Sequence, residues 1–75
     1  MKRDDIERIA KVVLRDYGLP FRLHTVTPVV AGRCAVGFAD SYSGQPTVSV
    51  DVWCDDKASP HSVRESLKSG LNVSD

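Results

Sequence analysis

The chain has no net charge, few cysteines and no long apolar run, and each shortage excludes a class of protein. Ten lysines and arginines balance ten aspartates and glutamates over 75 residues. No global field therefore draws the protein to nucleic acid or to anionic lipid. Two cysteines, Cys34 and Cys54, are too few for a disulfide framework and are expected as reduced thiols. No apolar stretch approaches the ~18 residues of a membrane span. The opening Met-Lys-Arg-Asp-Asp runs straight into an amphipathic pattern and lacks the apolar segment of a secretory signal. The expectation is a cytoplasmic protein with no membrane partner. No internal repeat or low-complexity tract is visible, and the length suits one domain with a modest stability of roughly 4–11 kcal/mol. With 41% hydrophobic and 27% charged residues, the composition is that of an ordinary globular chain and not a disordered one.

What is present reads as five elements. Residues 4–17 carry Ile6, Ile9, Ala10, Val13, Leu14 and Tyr17 at three- and four-residue spacing, one apolar stripe on a helix. Asp4 or Asp5 is placed to cap it, Glu7 and Lys11 stand in the favourable i, i+4 order, and Gly18 and Pro20 end it. Residues 21–27 form a strand by their aromatic and β-branched content, with Phe21 and Leu23 on one side and Arg22 and His24 on the other. Pro28 lacks an N–H for a ladder, which makes this strand an edge or bends it there. Val29 to Gly32 then turns the chain.

Strands are predicted over 33–39 and 47–54, joined by the turn-forming run Asp40-Ser-Tyr-Ser-Gly-Gln-Pro46. Folded about Gly44, they place Cys34 opposite Cys54, Val36 opposite Val52 and Phe38 opposite Val50, with all of these on one face. A second helix, residues 60–69, follows with Ser59 as N-cap, Pro60 in its first position and an apolar stripe of Val63 and Leu67. Gly70 ends it, Leu71 folds back onto its last turn, and residues 72–75 are expected to fray. The predicted architecture is α+β: a two-layer sandwich in α-β-β-β-α order, a three-stranded antiparallel meander with both helices on one face and the other face bare.

This order, with Gly18-Leu19-Pro20-Phe21 between helix and strand and Val63-Arg64-Glu65-Ser66-Leu67-Lys68 in the last helix, resembles the double-stranded RNA-binding domain. The resemblance implies phosphate contact from the start of the second helix. Here that stretch is Asp55-Asp56-Lys57-Ala58-Ser59-Pro60-His61, one lysine beside two aspartates. The run Ser62 to Leu71 is similar to the end of the HicA-like toxin ribonucleases. That family's catalytic histidine follows a glycine at the start of the second strand, and the matching Gly32-Arg33-Cys34 carries none. Both resemblances speak to fold more than to function.

Candidate chemistry is sparse. Cys34 and Cys54 invite a redox pair or half of a metal site. Two thiols without nearby histidines do not make the four-ligand set zinc prefers, and a directly cross-strand disulfide tends to be strained, so the pair reads as two small buried hydrophobes. Cys34, His24 and Asp51 make a nucleophilic triad on paper, but alternation sends Cys34 into the core and the other two to the open face. His61 reads as a solvated residue at a helix start. Arg8, Lys11 and Arg15 follow one helical line, with Arg3 and Arg22 as extensions; this is the strongest nucleic-acid feature, yet Asp4, Glu7 and Asp16 are interleaved with it.

Trp53 is opposite in parity to the valines and should stand on the bare face beside Asp51, Ser49 and, across the strand, Ala35. An exposed aromatic among small neighbours is a good binding anchor, and the competing reading folds it over a sheet edge against the second helix. The sequence therefore points to a module that acts by binding, with no cofactor implied. Its expected partner is a protein, a second copy included, met through the face around Trp53 or along the edge of the third strand. Nucleic acid is the alternative.

Overall fold

In the computed structural model, which describes residues 2–30, 32–55 and 58–73, the chain forms helix α1 (Arg3–Asp16), strands β1 (Phe21–Val30), β2 (Arg33–Asp40) and β3 (Pro46–Trp53), and helix α2 (Pro60–Gly70). The strands pair antiparallel in the order β1-β2-β3. Both helices pack on the same face, as expected. The core joins Ile6, Ala10, Val13 and Leu14 of α1 to Val63 and Leu67 of α2 over a sheet floor of Val26, Val36, Phe38, Val50 and Val52. Alternation places those sheet residues on one side of the pleat and turns Thr25, Thr27, Ser49 and Asp51 to water.

The helix ends depart in detail from the expectation. Lys2, not Asp4 or Asp5, is the N-cap of α1, and Asp5 serves from inside the first turn by accepting the Lys2 N–H at 3.3 Å. Glu7 pairs backwards with Arg3 at 3.4 Å, where the i, i+4 pattern forward to Lys11 was expected. α1 closes on Gly18 at φ 58°, with Gly18 N–H donating to the Arg15 carbonyl and Leu19 N–H to the Leu14 carbonyl. That pair of bonds is a Schellman motif, and it returns Leu19 to the core.

α2 begins as predicted, with Ser59 and Ser62 exchanging side-chain and backbone bonds of 3.0 and 3.1 Å behind Pro60. Gly70 is its last helical residue and not the residue that caps it. The left-handed residue is Asn72 at φ 62°, and the same Schellman bonds run from Asn72 to Ser69 and from Val73 to Lys68. Asn72 and Val73 are therefore held, against the expected fraying, while 74–75 lie outside the described residues. Gly70 has another task. A Cβ there would lie 2.5 Å from Cγ1 of Val50, so glycine is what lets α2 settle on β3.

The β2–β3 register is displaced by two residues from the predicted one: Cys34 faces Val52, Val36 faces Val50 and Phe38 faces Val48. The cause is the turn. The Asp40 carboxylate accepts the N–H groups of Tyr42 at 2.8 Å and Ser43 at 2.9 Å, and Asp40 N–H donates to the Gln45 carbonyl at 3.0 Å. This side-chain-capped turn centres ahead of Gly44. A shift between Phe38 and Ala39 absorbs the odd residue. Because the side-chain period is two, a slip of two leaves every residue on its predicted face.

β1 also runs further than expected, to Val30, because Pro28 and Val30 still pair with Cys34 and Arg33. It is an edge strand, as its proline requires, and its register shifts between Leu23 and Thr25 and again between Pro28 and Val30. The other edge, β3, has its only proline at its first position. Cys54 N–H donates to the Gly32 carbonyl at 2.8 Å. Antiparallel alternation from that bond turns the backbone groups of Val48, Val50 and Val52 toward β2, and those of Ser49, Asp51 and Trp53 outward.

Candidate functional site

The uncovered face of the sheet is built from short side chains in cross-strand rows. Thr25, Gly37 and Ser49 form one row, Thr27, Ala35 and Asp51 the next, and the exposed Val30, Arg33 and Trp53 the last. Thr25 Oγ1 occupies the space over Gly37, where a Cβ would lie 2.6 Å from it. The four residues expected together, Trp53, Asp51, Ser49 and Ala35, do share this face. Within it, however, Ala35 stands opposite Asp51 and not opposite Trp53. The residue opposite Trp53 is Arg33, whose guanidinium carbon lies 4.5 Å from the ring centroid.

That stacking is a cation–π contact, and it holds the indole by one face while 52% of the residue stays exposed. The ring also borders a shallow concavity with Asp55, Ala58 and Ser62. Trp53 therefore sits at a corner, on the open face and beside the entry to α2, so the two sequence readings each describe one side of it. Arg33 was readable by parity, since it alternates with Ala35 and Gly37. Tyr42, 93% exposed in the β2–β3 turn at the far end of the sheet, was hidden among turn formers.

The basic line lies on the helical side of the molecule, away from Trp53. Arg8, Lys11 and Arg15 are all exposed on α1, and Arg15 lies 3.7 Å from Asp16. Arg8 shares a groove between the helices with His61 and Arg64. Arg64 is hydrogen bonded to Tyr17, which holds its guanidinium pKa above the ordinary value. The Lys68 ammonium stands 5.3 Å over the Tyr17 ring and 3.6 Å from Glu65. Tyr17, expected only as part of the apolar stripe, is thus also the polar link between the helices.

The remaining candidates separate. Cys34 is buried with its Sγ 2.8 Å from that of Cys54. Burial first, and the neighbouring thiol second, push the Cys34 pKa up to about 11. Asp51 is exposed on the opposite face and His24 is exposed where β1 shifts register, so the Cys-His-Asp set does not assemble. His61 is exposed in the first turn of α2. Asp56 and Lys57, part of the stretch compared with the RNA-binding domain, lie outside the described residues. Among the described residues no group of three or more His, Cys, Asp or Glu is arranged to hold a metal ion. None of their helices is long and apolar enough to cross a membrane. No family model, curated protein or solved structure matches this chain.

Proposed function

We propose that this protein is a small cytoplasmic binding module that recognises another protein through the open sheet face, with Trp53 as anchor and Arg33, Ala35, Ser49 and Asp51 around it. The observation that carries the reading is a sheet covered on one side only, whose bare side bears a half-exposed tryptophan held by an arginine. Short side chains let a partner approach the backbone closely, and a rigid aromatic at the rim supplies burial at little entropic cost. Arg33 and Asp51 give the face one charge of each sign in adjacent rows. A twofold axis between these two rows would set Arg33 of each copy against Asp51 of the other, so a second copy is the partner to test first.

Size sets the strength. Three strands about 4.8 Å apart, eight residues long in β2 and β3, span roughly 400 Å² per partner at ~3.4 Å per residue. Even doubled, that is at the small end of specific interfaces, which argues for a weak and reversible complex. Sedimentation velocity over rising protein concentration should show self-association that Trp53→Ala reduces at least tenfold without changing the far-ultraviolet circular dichroism. A monomer at every concentration up to the millimolar range would sink the second-copy form of the proposal.

The nucleic-acid reading is favoured by one arrangement, Arg8 and Arg64 lining the same groove beside the Lys11 and Arg15 line. It requires RNA affinity that falls steeply with salt and disappears in Arg8→Glu/Lys11→Glu/Arg15→Glu, while Trp53→Ala leaves it unchanged. The absence of binding at low salt would end it. The ribonuclease reading has no residue to stand on, because Gly32-Arg33-Cys34 offers no histidine.

A further inference from the structure

We infer that Cys34 and Cys54 form a modification site, closing into a reversible intramolecular disulfide by exchange with a low-molecular-weight disulfide. The inference is independent of what binds the open face. It rests on where the two sulfurs are. They lie 2.8 Å apart, inside the ~3.5–4.0 Å at which unbonded heavy atoms settle. A bond of ~2.05 Å needs a further approach of less than about 1 Å.

The register changes the geometry of such a bond. Cys34 is paired directly with Val52, and Cys54 lies beyond the last residue of β3. The crosslink is therefore a diagonal one to a residue past the strand end and not one between directly opposed residues, and what supports it is the approach of the two sulfurs themselves. Access is unequal. Cys34 is buried and Cys54 half-buried, so exchange begins at Cys54.

The Cys54 thiolate attacks one sulfur of the small disulfide, whose S–S bond breaks to release one small thiol and leave a mixed disulfide on Cys54. Cys34 then loses its proton to water and attacks the Cys54 sulfur, expelling the second small thiol. Two protein thiols are oxidised and one small disulfide is reduced to two thiols. Burial keeps Cys34 protonated near neutrality, so closure should quicken as the pH rises.

The test uses the purified full chain and oxidised glutathione, followed by intact mass and thiol alkylation between about pH 7 and pH 9. The expected product is a monomer lighter by two hydrogens, with both thiols lost together and recovered by dithiothreitol. Cys34→Ser should instead accumulate a glutathione adduct on Cys54. Two thiols that stay free, a lasting adduct on the wild-type chain, or only intermolecular dimers would overturn the inference. If Cys34→Ser fails to fold, the wild-type mass decides alone.

Discussion

Gly70 illustrates how a single residue is misjudged when its backbone is considered without its neighbours. A glycine near the end of a helical pattern suggests a cap, yet Asn72 takes the left-handed position and Gly70 stays helical with Val50 against it. Gly70→Ala gains about 1 kcal/mol of helix propensity. It also forces a Cβ into a side chain 2.5 Å away, an overpacking that costs about 1–3 kcal/mol. Urea denaturation should therefore show a net loss of about 1 kcal/mol, a sign opposite to that of an exposed helix site. In a Val50→Ala background the same substitution should become neutral or stabilising. Trp53 was legible in the same partial way. Parity placed it and Arg33 on the open face, but their pairing depends on register, which no single residue declares.

Elements whose signals are local were readable, and the one relation set by a turn was not. Both helices carry their stripe, and Ser59 and Pro60 mark the start of the second, so their existence and inner faces follow from spacing. The β2–β3 register does not, because Asp40 caps its own turn and thereby moves the centre of the hairpin. The same bonds hold the Asp40 carboxyl below its usual pKa, with the N–H of Ser43 contributing most and that of Tyr42 next. A carboxylate with a depressed folded pKa adds stability above its unfolded value of 3.8, and that stability is lost as the pH falls through the folded value. Thermal unfolding of Asp40→Asn, which keeps the accepting oxygen, should accordingly depend less on pH below about 4 than that of the wild-type chain. An unchanged acid limb would remove Asp40 as its source.

For the molecule as a whole, one core carries two unlike surfaces. The helical layer bears the basic line and the sheet bears Trp53, so on the proposed reading Trp53→Ala should leave any affinity at Arg8, Lys11 and Arg15 unchanged. The layer arrangement was legible because all five elements have a single apolar face, and five such faces close around one core. The corner position of Trp53 was not, since it depends on how the segment after β3 leaves the sheet. The two sheet edges were legible in part, Pro28 marking the first strand as an edge and the third strand being left to pair, and their difference bears on how large any assembly could become. β1 ends the sheet with Pro28 and two shifts of register, while β3 turns the backbone groups of Ser49, Asp51 and Trp53 outward. Two copies meeting along β3 would make one six-stranded sheet terminated at both ends by β1. Growth would stop at two, giving a finite dimer where an unprotected pair of edges would propagate a fibre.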